Sequence, residues 1–356
     1  MLKRKLCEAT FQWKLKCEGP LLIADGKYSQ KEVMKPYEGN DAEKKKRSGW
    51  YPDKFFINHT EPDEMIKRVR DAGQKPPNQE WYFYVPGTSI RGPFRAQSER
   101  IIRSLLPEGA SPPYTACDPF DQVLGCSEQL KKSEQLKKED GTTRKKYAAA
   151  CPACKLFGCA GLASRIRFTD ADIGNGYSSV YRDMIGIDRF TGGVSKGGGD
   201  GSGSKGKGAN MRFHVLENTT FTTTVTVTNF ELWQMGLLAY VFRDFEEGLV
   251  PIGFGKTKGF GLVKGKITEI TLSYPEIPTH MEHMGSLMSS ATERAYYGIH
   301  TCAAPPFDQP PKPKNDGFSL YKNVTVANIP DFWAKTAPAF NGYVQELVRQ
   351  AQENTA

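Results

Sequence analysis

"WYFYVPGTSIRGPFRAQSERIIRSLL", residues 81–106, decides the fold. An aromatic run of strand formers stops at Pro86-Gly87. Thr88 or Ser89 can then cap a helix that runs to about Leu106. Ile90, Phe94, Ile101, Ile102 and Leu105 form its apolar face, and Arg91 and Arg95 fall one turn apart near its start.

Such a strand–turn–helix unit needs a sheet to pack against, and candidate strands lie on both sides of it. Upstream, "FQWKLKCEGPLLIAD" (11–25) alternates and is rich in β-formers. Downstream, "SRIRFTDADI" (164–173) reads as a strand. Residues 186–230 read as a strand, a Gly/Ser/Lys loop and a β-rich return. "LWQMGLLAYVFRDFEEG" (232–248) is an amphipathic helix with a glycine cap, and "VPIGFGKTKGFGLVKGKITEITLSY" (250–274) is a glycine loop feeding a last strand. The order β-α-β-β-α-β predicts an α+β, ferredoxin-like domain over 1–275.

Two segments are long for connections in a compact domain, about 26–80 and about 107–160, and read as insertions. The second contains a tandem duplication, "SEQLKK" at 127–132 and again at 133–138, which reads as a solvated helical or flexible elaboration. Residues 276–356 form a C-terminal extension, with the Pro-rich "APPFDQPPKPKND" and a terminal helix at about 330–353.

The chain has 356 residues, with 48 Lys+Arg against 40 Asp+Glu, a formal net charge of +8. That excess fits a polyanionic partner. The basic start "MLKRKLCEATFQWKLKC" has no apolar stretch after it, and "MGLLAYVF" (235–242) is too short to span a bilayer. The chain therefore reads as cytoplasmic, with no membrane partner. In that compartment cysteines stay reduced, and a CxxC pair favours metal over disulfide.

"CPACKLFGC" (151–159) supplies Cys151, Cys154 and Cys159. Cys126 or Cys117 could complete a tetrahedral set across the insertion, and Cys126 is the preferred fourth ligand. The expected ion is structural Zn2+, clipping a loop with little core of its own. The bland alternative is a set of reduced, buried thiols. A thioredoxin-like redox pair lacks its flanking pattern here.

"GFGKTKGFG" (253–261) lets backbone approach a ligand closely, with Lys256 and Lys258 as charges, but it is not a Walker loop. "IDRFTGG" (187–193) followed by "KGGGDGSGSKGKG" (196–208) reads as a basic hairpin tip, at about 186–212, rather than a domain linker. Asp25, Asp41 and Asp53 are carboxylates of the N-terminal region. The five histidines match no Ser-His-Asp order, HExxH or paired-His motif.

As a set, these motifs resemble one family. "VPGTSIRGPFRAQSE", "CPACKLFG…SRIRFTDA", "IDRFTGG" and "GFGKTKGFGLV" occur in the order of the signatures of RAMP-superfamily CRISPR proteins. The likeness is greatest to backbone subunits of type III, RNA-targeting effector complexes, here a variant with insertions. The resemblance implies a modified RNA-recognition (RRM-like) palm with a thumb hairpin and a zinc-clipped insertion. It implies a CRISPR guide RNA, a target RNA and other effector subunits as partners. By position, Thr88, Ser89, Arg91 and Arg95 would hold guide phosphates at a helix N-terminus. Arg165, Arg167, Lys256 and Lys258 would line the same track, and Arg189 and Phe190 would belong to the thumb. Asp25, in the loop after the first strand, would be the cleavage aspartate, working with Mg2+ or Mn2+. The resemblance also leaves room for a purely structural guide-binding subunit, or for a metal-independent guide-processing endoribonuclease with His59 and Tyr28 available.

Overall fold

A computed structural model describes residues 4–26, 53–59, 83–107, 110–132, 143–174, 176–187, 189–193, 210–307 and 321–353. In chain order the elements are β1 (Glu8–Cys17), β2 (Tyr84–Val85), α1 (Gly87–Leu105), α2 (Cys126–Lys132), α3 (Thr143–Ala149) and α4 (Pro152–Phe157). Then come β3 (Ile166–Phe168), β4 (Ala171–Asp172), β5 (Ser178–Ile185), β6 (Asn210–Glu217), β7 (Thr220–Thr228) and α5 (Leu232–Glu246). The chain closes with β8 (Val263–Tyr274), α6 (Met284–Leu287), α7 (Ala291–Tyr297), β9 (Lys322–Thr325) and α8 (Ile329–Glu353).

The protein is mixed α+β with an antiparallel main sheet. That sheet has the order β3-β7-β1-β8-β9, and each neighbouring pair is antiparallel. β1 sits at its centre, and its strictly alternating sequence gives it one buried and one open face. Ala9, Phe11, Trp13, Leu15 and Cys17 are buried, while Lys14 and Lys16 point to the opposite face and are exposed. The buried face carries α1, α5 and α8. Trp13 meets Phe94 of α1 and Phe242 and Phe245 of α5 edge-on, at 5.7, 5.1 and 4.9 Å between ring centroids. Phe11 stacks on Trp333 of α8 at 5.8 Å. Each such buried aromatic stabilises the fold by about 1.5–3 kcal/mol.

Two glycines set the closest approaches. A Cβ on Gly265 would lie 2.4 Å from the Trp13 indole nitrogen, so the bare backbone there makes room for the ring. A Cβ on Gly236 would lie 2.7 Å from the Thr336 carbonyl, which is why α8 can lie close against α5. Residues past 275 thus share this core. β9 extends the sheet, and Phe332, Phe340 and Tyr343 of α8 are buried.

Several boundaries differ from the sequence expectation. The first strand stops at Cys17, before Glu18-Gly19-Pro20, and residues 21–24 make only isolated bridges to Leu216 and Phe56. Proline has no amide proton to continue a ladder. On α1 the buried stripe is Ile90, Phe94, Ser98 and Ile102, a four-residue spacing, whereas Leu105 is exposed. Neither Thr88 nor Ser89 caps α1; Pro86 is the N-cap, without a side-chain bond. The hairpin of the expected thumb starts earlier, with β5 paired to β6 from Ser178↔Glu217 to Ile185↔Asn210. The first "SEQLKK" lies in α2, and the second copy lies outside the described residues, as do Asp41 and Tyr28.

Candidate metal centre and nucleic-acid interface

Cys117, Cys126, Cys151 and Cys154 are buried together, with their sulfurs all within 4.8 Å of one another. Local sequence explains half of this. Pro152 opens α4, Cys151 is its N-cap, and the Cys154 amide donates to the Cys151 Sγ at 3.4 Å. The other half is tertiary. The Cys117 amide donates to Cys151 Sγ at 3.5 Å, and the Cys151 amide donates to Cys126 Sγ at 3.3 Å.

The set corrects the sequence expectation in one member: Cys117 stands where Cys159 was expected. The reason is Gly158, whose φ of +76° turns the chain at the end of α4. Cys159 then enters a tight bridge with Leu162 and is half-buried beside the cluster, outside the group of four.

All eight cysteines are free thiols. The Cys117–Cys154 and Cys117–Cys151 separations are 3.6 and 3.7 Å. A tetrahedral ion with ~2.3 Å bonds to sulfur needs edges of about 3.8 Å. Hydrogen bonding from its three neighbours drives the Cys117 thiol well below its usual range, and the same interaction pushes Cys126, Cys151 and Cys154 up. The backbone N–H donors and the soft ligand set suit a metal such as zinc.

The two arginines expected at the guide are tied to this knuckle. Arg91 donates to the Phe157 carbonyl. Arg95 donates to Glu99 at 2.7 Å, to the Gly158 carbonyl at 3.1 Å and to Cys154 Sγ at 3.6 Å. The start of α1 also has an anion of its own, since the Gly87 amide donates to Asp170 Oδ1 at 2.7 Å. Thr88 is exposed and Ser89 half-buried on that first turn.

Arg165 departs from the expected basic track because it is an interior residue. Its guanidinium lies over the Tyr147 ring at 3.8 Å, donates to the Asn229 carbonyl at 2.9 Å and stands 3.8 Å from Glu231. Glu231 also accepts from the Tyr147 hydroxyl and from the His300 amide. Lys155 is buried in the same network, 3.4 Å from the Tyr343 hydroxyl, and burial lowers its pKa. This network joins the knuckle, the start of α5 and α8, and the sequence reading missed it; no local pattern announces it. Two positions on, Arg167 faces solvent, 3.9 Å from Glu8.

Lys256 and Lys258 are exposed on a 3-10 turn held between left-handed Gly255 and Gly259. The glycine loop docks on the segment after β1. Gly261 donates to the Pro20 carbonyl at 2.8 Å and Phe254 to the Leu22 carbonyl at 2.7 Å. That segment leads to Asp25, which is 7% exposed and whose amide donates to Phe55 at 3.1 Å. Asp53 accepts the Arg212 amide at 2.8 Å, a backbone-fixing role. Arg189 and Phe190 are exposed at the end of the described hairpin, Phe190 at 99%. A further feature near Asp25 is His59 stacked on Tyr84 at 4.0 Å, with Asp172 3.8 Å from its Nε2. Burial and the carboxylates of Asp170 and Asp25 raise the Tyr84 pKa.

Residues 14–264 match the family model of the RAMP superfamily, a span that runs from within β1 to the start of β8. The chain belongs to the RAMP superfamily. RAMP proteins generally bind CRISPR RNA in effector complexes. The match takes in the four cysteines, α1, the hairpin and the glycine loop; β9 and α8 lie beyond it. No curated protein matches the chain. Among the described residues, no helix is long and apolar enough to cross a membrane.

Proposed function

We propose that this RAMP protein is a guide-RNA-binding backbone subunit of a type III interference complex that also cuts target RNA. One observation carries the reading. The exposed Lys256–Lys258 turn belongs to a loop hydrogen-bonded along the segment that leads to Asp25. A phosphate backbone gripped by these lysines runs past that carboxylate. The strand order of the main sheet supports an RRM-like palm, and the β5–β6 hairpin, ending in Arg189 and Phe190, supports a thumb. The cysteine centre, loaded with Zn2+, is a structural clip that fixes the insertion against α1.

In this reading Asp25 accepts the proton of a target 2′-hydroxyl. The 2′-oxygen attacks the adjacent phosphorus, the P–O5′ bond breaks, and the 5′-oxygen leaves with a proton from water. Mg2+ or Mn2+ would lower the charge on that phosphate. Among the described residues Asp25 belongs to no group of three or more metal ligands, and no step is assigned to the ion.

Substitution Asp25→Ala in the assembled complex tests the reading. Guide and target binding are expected to persist while one specific cut disappears; an unchanged cut refutes the catalytic role. The burial of Asp25 favours, as a second reading, a guide-binding subunit without catalysis. The His59–Tyr84–Asp172 arrangement favours a third, a metal-independent processing nuclease. Clean cleavage of a repeat transcript in EDTA, abolished by His59→Ala, would select that one.

A further inference from the structure

The face of the main sheet opposite the helices carries an unusual charge pattern. In the β1–β8 register, Lys14 stands directly opposite Lys266 and Lys16 directly opposite Lys264. All four are exposed. Side chains directly opposite on antiparallel strands have Cβ atoms only ~4.5–5.5 Å apart, and like charges there are destabilising. Here two successive pairs repeat the same cost.

Among the described residues little offsets it. On the β7 side the cross-strand neighbours are Thr222 and Thr220, both neutral. Among the described residues one acid pairs with the quartet, Glu18, 3.7 Å from Lys16; Lys266 shares a cavity lining with Glu246, and the stem of Lys264 passes beside Gly248 at the end of α5. Glu8 lies at the far end of β1, paired with Lys5 at 2.7 Å, and Glu269 stands opposite Gln12, beyond the lysine pairs. The quartet is also continuous with the glycine loop. The Glu18 backbone amide donates to the Leu262 carbonyl at 2.9 Å, so the end of β1 is fastened where that loop enters β8. Lys256 and Lys258 therefore lead along one end of the sheet to Lys264 and Lys266.

We propose that Lys14, Lys16, Lys264 and Lys266 form a second RNA-contact site, which grips the phosphodiester backbone of the strand engaged by the glycine loop. This deepens the reading above and rests on it. The open-face positions 10, 12, 14, 16, 220, 222, 224, 226, 264, 266 and 269 include no aromatic side chain, so contacts there are not made by stacking. Its contacts are electrostatic, sequence-independent and steeply salt-dependent.

The test uses the full chain, freed of co-purified nucleic acid, and fluorescently labelled single-stranded RNAs of two unrelated sequences. Affinity is measured across a salt series for the wild type, a Lys14→Gln/Lys16→Gln/Lys264→Gln/Lys266→Gln variant and a Lys256→Gln/Lys258→Gln variant. The quartet variant is expected to flatten the log–log salt slope by about 2.8, at roughly 0.7 for each of four phosphates. The effect should be equal on both sequences, and the melting temperature should be unchanged or higher because repulsion is relieved. An unchanged slope in the quartet variant, with binding lost in the loop variant, overturns this site and leaves the proposed function standing. Unchanged binding in both variants overturns the proposed function with it. An unchanged RNA slope with loss of assembly onto neighbouring subunits would assign the patch to an acidic protein surface and also overturn the proposal.

Discussion

The Arg95 guanidinium lies 3.6 Å from the Cys154 sulfur and 3.1 Å from the Gly158 carbonyl, so the first turns of α1 are fastened to the cysteine knuckle. A helix that begins at the sheet is thereby held at its side by a centre formed from two distant pieces of chain. Arg103, near the other end of α1, adds bonds to the Ala116 and Cys117 carbonyls at 3.1 and 2.6 Å.

The four-cysteine set makes a direct prediction about metal content. Cys117→Ser, Cys126→Ser, Cys151→Ser and Cys154→Ser should each lower zinc bound per chain and the melting temperature, whereas Cys159→Ser should retain zinc. Structural zinc binding is worth ~10–16 kcal/mol in small domains, so even a fraction of it exceeds the effect of an ordinary surface change. Metal analysis of the purified variants decides between Cys117 and Cys159. Full zinc in Cys117→Ser would overturn the assignment.

Arg165 and Arg167 should separate cleanly. Arg165→Leu leaves buried Glu231 without the guanidinium 3.8 Å away, and is expected to destabilise the protein by about 3–5 kcal/mol. Arg167→Ala, at an exposed position, should leave stability within about 0.5 kcal/mol. Chemical denaturation of the two variants checks this. Equal stabilities would mean that the Arg165 network contributes nothing.

Gly87 tests how α1 meets the sheet. A Cβ there would stand 2.4 Å from the Phe168 carbonyl oxygen, a backbone atom that cannot move aside cheaply. Gly87→Ala should therefore cost about 1–3 kcal/mol, as overpacking does, although alanine is the better helix former. A stabilised variant, measured by melting temperature, would show that the junction is looser than described.

His214 gives the fold a pH dependence of known sign. Burial lowers its pKa from 6.5 to about 3, and its ring stacks on Phe55 at 4.2 Å. The unfolded chain binds a proton as pH falls through about 6.5 and the folded chain does not until about 3. Stability from this group is complete above about 6.5 and falls by roughly 1.4 kcal/mol per pH unit between those values. Replacing the ring by Phe should flatten this part of the stability–pH curve. Parallel curves for His214→Phe and the wild type would refute the assignment.

The sequence by itself determined the order of the main strands and helices and the family. Strict alternation in β1, the Pro86-Gly87 break before α1 and the glycine loop before β8 are local, because side-chain period and backbone restriction act over a few residues. The Cys151–Cys154 pair is local for the same reason. Only tertiary structure decided that Cys117 joins it, since 34 residues separate Cys117 from Cys151 in the chain and their approach depends on the packing of α1. Arg165 shows the same limit. Read with Arg167 as a period-2 pair it belongs on one face, but β3 begins at Ile166. One residue outside the ladder, its side chain is free to turn inward to Glu231, where a buried carboxylate needed a cation more than the surface did.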